Sequence, residues 1–83
     1  MKVNVRYFAS IRETVGQAAE TVDTPAPTLA ALRDELIGRG GAYAEGLARG
    51  KAVRVALNQV MADEATAMTE GAEIGFFPPV TGG

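Results

Sequence analysis

Hydrophobic and polar side chains alternate along the first residues of the chain. Val3, Val5 and Tyr7 fall on one side of this pattern, and the period of two predicts a half-buried strand over residues 2–9. Later stretches with alternating or β-branched apolar residues predict four more strands. These stretches are residues 19–24, 53–57, 60–61 and 73–77.

A helical spacing of leucines follows residues 25–27, where two prolines break the chain. Thr28 is predicted to cap this helix, and the glycine-rich residues 38–41 are predicted to end it. We expect an apolar face that packs on the sheet and a charged face that meets solvent. The apolar face carries Leu29, Leu32, Leu36 and Ile37, and the charged face carries Arg33, Asp34 and Glu35.

Shorter turns are predicted between these elements. Ser10 and Glu13 have the spacing of a capping box, which predicts a helical turn that Gly16 ends. Residues 42–48 predict another short turn, and residues 58–59 predict a tight turn between two strands. The order is therefore strand, strand, helix, strand, short strand and strand. This order favours an α+β fold with the helix on one face of the sheet.

The predicted strands leave two aromatic side chains away from the core. If Ile74 and Phe76 point inward, Phe77 points outward, and the first strand likewise leaves Phe8 outside. If these two strands are parallel neighbours, Phe8 and Phe77 form one apolar patch, which Met61 could extend. The alternative is that these residues, which lie at the ends of their strands, only cover the edge of the core. Single exposed apolar side chains are also common in folded proteins.

The chain ends in a stiff segment followed by two glycines. Pro78 and Pro79 each fix a backbone φ angle, so they form a rigid stalk after the last strand. The four residues beyond them can extend about 13 Å, which is enough to enter an active-site channel of another protein. Gly82 and Gly83 make the last units sterically thin, so a terminal carboxylate there is accessible to chemistry. The alternative is an ordinary frayed terminus.

Composition narrows the chemistry that the chain can perform by itself. The 83 residues include neither Cys nor His, so the commonest nucleophile, neutral-pH base and metal ligand are missing. The net charge of −2 gives no basic field for nucleic acid. The glycines at 38–41 lack phosphate-loop spacing, and the acidic residues lack metal-loop spacing. These features favour a carrier, a subunit or a binding module.

Two expectations concern organisation and location. We expect one domain over residues 1–79 and a flexible tail over residues 80–83. The chain contains no apolar run of about 20 residues and no signal-peptide core near its start, so we expect a cytoplasmic protein without membrane contact.

The sequence resembles the MoaD family, the small sulfur-carrier subunits of molybdopterin synthase, along nearly its whole length. The resemblance rests on residues 5–13, on Leu57-Asn58-Gln59 and above all on residues 70–83, which end in Phe-Phe-Pro-Pro-Val-Thr-Gly-Gly. The family usually has Asp-Gly-Asp-Glu before the last strand, so Glu70 and Ala72 are mild departures. The resemblance implies a ubiquitin-like β-grasp fold, with a mixed sheet packed on one main helix.

The resemblance also implies a mechanism and partners. A MoeB-like adenylating enzyme would use ATP to activate the Gly83 carboxylate, and a sulfur donor would convert it to a thiocarboxylate. The large subunit, MoaE, would receive the tail and direct the sulfur to a cyclic pyranopterin monophosphate, forming the molybdopterin dithiolene. Gly82 would then give clearance, and the chain would bind no cofactor or metal itself. Pro78, Pro79, Val80 and Thr81 would position the tail, and Phe8, Met61 and Phe77 would form the docking patch.

Two other functions remain open at this point. The chain could carry sulfur for another pathway, such as thiamine, cysteine or tRNA thiolation, although the Phe-Pro-Pro-Val segment argues against this. Alternatively, it could be a non-covalent ubiquitin-like adaptor whose tail is chemically inert.

Overall fold

The computed structural model describes residues 1–79, which form five strands and three helices. The chain begins with strand β1, helix α1 and strand β2, continues through two helices, and ends with three strands. The elements are β1 Lys2–Tyr7, α1 Ala9–Val15, β2 Ala19–Asp23, α2 Leu29–Ile37, α3 Gly41–Leu47, β3 Arg54–Leu57, β4 Val60–Ala62 and β5 Glu73–Phe77.

The strands form one mixed sheet in the order β2-β1-β5-β3-β4. β1 and β5 are parallel neighbours, with Tyr7 opposite Phe76, and the other neighbouring pairs are antiparallel. The α+β prediction is therefore confirmed, and so is the condition that the two aromatic-bearing strands lie side by side. The last strand occupies the centre of the sheet, so it is paired along both of its edges.

One face of the sheet is covered by the helices. The core joins inward-facing residues of β1, β3 and β5 to apolar residues of all three helices. The three leucines of α2 that the helical spacing singles out are completely buried, and each contributes about 1.5–3 kcal/mol. The completely buried hydrophobic side chains of the core are Val3, Val5, Leu29, Leu32, Leu36, Leu47, Ile74 and Phe76.

Helix α1 begins earlier than the capping-box prediction places it. The carbonyl of Phe8 accepts the N–H groups of Ile11 and Arg12 at 3.1 and 3.2 Å, so Phe8 is the N-cap and Ser10 lies inside the helix. The capping box was therefore wrong, and β1 ends at Tyr7 because the chain turns into the helix. The end of α1 is as predicted: Gly16 adopts a φ of 91°, which favours glycine.

Helix α2 begins and ends as predicted, but the charged face does not lie wholly in solvent. The Thr28 hydroxyl accepts the N–H of Ala31 at 3.2 Å, which confirms the predicted cap. Arg33, however, was expected in solvent and is only 3% exposed. Its side chain lies under the segment that follows α3, where carbonyl groups of that segment face it. The leucine spacing could not show this contact, because its partners come from another part of the chain.

Other boundaries differ by a few residues from those predicted. Residues 42–48 lie largely in a complete helix, α3, rather than in a short turn. β2 ends at Asp23 because the Thr24 hydroxyl accepts the N–H of Ala26 at 3.0 Å and turns the chain away. The tight turn is confirmed, since Asn58 and Gln59 have φ angles of 50° and 69°.

A polar cluster joins the sheet to the helices. The Glu20 carboxylate accepts the hydroxyl groups of Tyr7 at 2.8 Å and Tyr43 at 2.7 Å, and it pairs with Arg39 at 3.1 Å. Burial alone would raise the pKa of Glu20, but these hydrogen bonds outweigh burial and hold that pKa below its ordinary value. Burial and the hydrogen bond to Glu20 also raise the pKa of Tyr7. The cluster therefore keeps Glu20 charged and both tyrosines neutral, so its hydrogen bonds stabilise the contact between the sheet and the helices.

Candidate docking face and tail root

The candidate site lies on the face of the sheet opposite the helices, which we call the outer face. Cross-strand pairing places Arg6 beside Gly75, Gly75 beside Ala56, and Ala56 beside Met61, so these residues share that face. The outer face therefore combines residues from four strands in one row. This row lies near the end of β5 that leads to Pro78.

Two aromatic rings pack together beside this row. The centroids of Phe8 and Phe77 are 5.8 Å apart, and the rings meet edge to face at 86°. A Cβ atom on Gly75 would come within 3.0 Å of Cε2 of Phe8, so the Phe8 ring lies directly against this glycine. The missing side chain of Gly75 thus makes room for Phe8.

The sequence pattern predicted the position of Phe77 correctly but overestimated its exposure. Phe8 is 40% exposed, whereas Phe77 is only half-buried because the Phe8 ring packs against it. Met61 is 50% exposed and lies on the same face, two strands away from β5. We call Phe8, Phe77 and Met61 the outer-face patch. The structure brings the first two into direct contact and places Met61 in the neighbouring row.

Two arginines lie beside the aromatic pair, and the hydrophobic pattern alone gives them no special role. The guanidinium carbon of Arg6 lies 5.8 Å from the centroid of the Phe8 ring. Arg54 is directly opposite Phe77 on β3 and is exposed. The parity that places Phe8 and Phe77 outside also places these arginines there. The signal was therefore present in the sequence, but it became meaningful only once the strand order was known.

The root of the tail lies beside a small open pocket. Pro78 and Pro79 follow β5 directly and are half-buried. Pro78 lines a cavity of about 110 Å³ together with residues of α1 and of the segment before β3, including Thr14 and Lys51. The other predicted tail residues, Val80, Thr81, Gly82 and Gly83, lie outside the described residues.

The described part of the chain carries an exposed apolar patch that is a candidate docking face. Residues 1–79 contain no group of three or more acidic, His or Cys side chains arranged to hold a metal ion. Within the same residues, each helix is too short or too polar to span a bilayer. An arrangement of this kind can bind another protein through its apolar patch, which lies next to the end of β5 where Pro78 follows.

Comparisons with known proteins agree over nearly the full chain. Residues 5–83 match the model of the ThiS family. The chain is 40% identical over 81 residues to the molybdopterin synthase sulfur carrier subunit of Escherichia coli strain K12, and 41% identical over 81 residues to that of Haemophilus influenzae. Each alignment covers 98% of this chain and 99% of the relative.

Solved structures share the same architecture. SAMP1 from Haloferax volcanii aligns with a TM-score of 0.78 and 26% identity over 100% of both chains. A Helicobacter pylori chain, from a complex of subunits 1 and 2 of molybdopterin-converting factor, aligns with a TM-score of 0.68 and 31% identity, also over 100% of both chains. These likenesses confirm the predicted ubiquitin-like β-grasp fold.

Proposed function

The chain belongs to the ThiS family, and from this membership we propose that it is the sulfur-carrier subunit of a molybdopterin synthase. The relatives that are about 40% identical over almost the whole chain carry that name. One structural observation supports the proposal most strongly. The apolar outer-face patch lies at the end of the central strand that leads to the tail, so docking of this face would aim residues 80–83 into the partner.

The proposed chemistry takes place on Gly83, because the chain contains no Cys that could hold sulfur. A MoeB-like adenylating enzyme would join the Gly83 carboxylate to AMP and release pyrophosphate from ATP. A sulfur donor at the oxidation level of sulfide would then attack the carbonyl carbon and displace AMP. The product is a thiocarboxylate. ATP binds to the adenylating partner in this scheme, and the carrier supplies only its backbone terminus.

Delivery of the sulfur requires a second partner. The Helicobacter pylori structure contains a subunit 1 together with a subunit 2, and we propose that this chain likewise docks on a large subunit, MoaE. Pro78 and Pro79 would set the direction of the tail, Val80 and Thr81 would line its path, and Gly82 would leave clearance around Gly83. The thiocarboxylate sulfur would then bond to a cyclic pyranopterin monophosphate, and water would cleave the bond between that sulfur and the Gly83 carbonyl carbon, which returns Gly83 to a carboxylate.

Intact-mass measurement provides the direct test of this function. After incubation with ATP, the adenylating partner and a sulfide source, we expect the mass to rise by the difference between sulfur and oxygen. Fragmentation should place that change on Gly83. An unchanged mass would contradict the carrier function and favour an inert ubiquitin-like adaptor. Sulfur loading without formation of molybdopterin by the large subunit would instead assign the carrier to another thiolation pathway.

The outer-face patch can be tested separately by truncating its most exposed aromatic residue. We expect Phe8→Ala to weaken binding to the large subunit by about 30-fold or more, because a buried aromatic anchor typically contributes at least 2 kcal/mol. Isothermal titration calorimetry would measure this change. Val60→Ala is the matched control, since Val60 is 67% exposed but lies outside the patch. Equal affinities of the two variants would exclude Phe8 as an anchor.

A further inference from the structure

The charges on the outer face are unevenly distributed. Arg6 and Arg54 lie at the end of the sheet near the tail, although the whole chain carries a net charge of −2. Arg33, Arg39 and Arg49 each pair with at least one carboxylate. Within residues 1–79, in contrast, the ion pairs include neither Arg6 nor Arg54.

The two arginines occupy opposite sides of the aromatic pair. β1 carries Arg6 and β3 carries Arg54, and these strands are the two neighbours of β5. Arg54 lies opposite Phe77. Arg6 lies opposite Gly75, two residues earlier on β5, so the backbones of the two arginines are about 12 Å apart. Glu73, the acidic residue of β5, is four residues before Phe77 and hence about 13 Å from it along the strand. Glu73 is also a diagonal neighbour of Arg6, about 7–8 Å away, so Arg54 is the arginine farther from an acidic position on β5. The end of the face next to the tail is thus apolar in the middle and cationic on both sides.

A partner that covers this patch must also cover the part of each arginine side chain that lies next to the backbone. Removing a charged group from water without supplying an opposite charge is strongly unfavourable. A guanidinium over an aromatic ring, as Arg6 is over Phe8, retains N–H groups that a carboxylate can accept in pairs. A suitable partner therefore has an apolar socket with a carboxylate on each side.

We propose that Arg6 and Arg54 are specificity-determining residues that select a large subunit whose socket for Phe8 and Phe77 is flanked by carboxylates. This inference rests on the proposed function and adds the chemistry of the partner surface. Charges at the rim of an apolar contact accelerate encounter with complementary surfaces and penalise contact with surfaces of like charge. The two arginines thus act on partner choice, while the aromatic pair supplies the binding energy.

Neutral and charge-retaining variants test the contribution of each arginine. We expect Arg6→Gln and Arg54→Gln each to weaken binding to the large subunit by about 10-fold at about 50 mM salt, mainly through slower association. The difference should largely disappear at about 1 M salt, where screening is strong. Arg54→Lys should lose less affinity than Arg54→Gln, because it keeps the positive charge but not the paired N–H donors. Lys2→Gln is the matched control, because Lys2 lies on the same strand and face as Arg6 but at the other end.

Charge reversal tests whether the partner carries carboxylates. The double variant Arg6→Glu/Arg54→Glu should bind at least about 10-fold more weakly than the double Gln variant, because like charges would then face each other. Equal affinities of these two double variants would show a partner surface without charge and overturn the inference. It would also be overturned if Lys2→Gln weakened binding as much as Arg54→Gln, since only net charge would then matter.

The outcomes separate this inference from the function on which it rests. If the wild-type chain gains sulfur on Gly83 and supports molybdopterin formation while the Gln variants bind normally, the inference fails and the function stands. If the wild-type chain never gains sulfur, the function fails, and the inference fails with it. Denaturation midpoints of all variants should match the wild type, because Arg6 and Arg54 are exposed.

Discussion

Adding one alanine after Gly83 is expected to reduce molybdopterin formation by about 100-fold or more, because the reactive carbonyl would no longer occupy the position that the partner active sites fit. The added residue moves the terminal carboxylate by about 3.5 Å and places a methyl group beside it. Thiocarboxylate formation, followed by intact mass, and product formation with the large subunit would both measure the loss.

A second extension separates the length of the tail from its width. Adding glycine instead of alanine moves the carboxylate equally far but adds no side chain. We expect both extended chains to be inactive if position controls the reaction, and only the alanine extension to be inactive if clearance controls it. Both should unfold at the wild-type denaturant concentration, since the addition lies beyond the last strand, which ends at Phe77. Full activity of both extended chains would contradict a reactive terminus at Gly83.

Replacing the buried Arg33 with methionine is expected to lower the free energy of unfolding by about 3–5 kcal/mol. Its Nε donates to the carbonyl of Leu47 at 2.8 Å, and its Nη2 donates to the carbonyl of Ala48 at 2.7 Å. Nη1 pairs with the Glu64 carboxylate at 2.9 Å. Methionine would fill similar space but remove all three interactions and leave the Leu47 carbonyl without this donor. The Ala48 carbonyl would keep the N–H of Lys51, and Glu64 would keep its pair with Arg49. Chemical denaturation followed by circular dichroism would measure the change.

Two further variants keep this prediction testable even if the methionine variant does not fold. Arg33→Lys preserves the positive charge but cannot reach all of these acceptors, so we expect an intermediate loss of stability. Arg49→Met removes an arginine that also pairs with Glu64 but is largely exposed, and it should cost less than about 1 kcal/mol. A loss at Arg33 no larger than the loss at Arg49 would show that the buried hydrogen bonds contribute little.

The contrast between Arg33 and the leucines of α2 shows what local pattern can and cannot predict. Burial of Leu29, Leu32 and Leu36 follows from their helical spacing, because each has only to face the same side. Burial of Arg33 depends on carbonyl groups at residues 47–51, which the tertiary fold brings across α2. Spacing within the helix contains no information about that segment.

The outer face, like helix α2, could be predicted only in part from the sequence. Strand parity placed Phe8 and Phe77 outside the core, and the structure confirms their contact. The half-burial of Phe77 could not be predicted, because it depends on the Phe8 ring lying against Gly75. The error at Ser10 has a local cause: the carbonyl of Phe8 already accepts the first helical N–H groups, so the helix begins before the expected cap. A helix start that is capped only by backbone groups is not marked by a capping residue in the sequence.

The central position of β5 has a consequence for the order of events during synthesis. β1, near the beginning of the chain, pairs with β5, which is the last strand to be made, and β3 pairs with β5 from the other side. A nascent chain still attached to the ribosome before β5 emerges therefore lacks the middle of its sheet. Contacts between such distant segments also slow folding. A partner that recognises the assembled outer face would consequently bind only chains whose β5 has already been made.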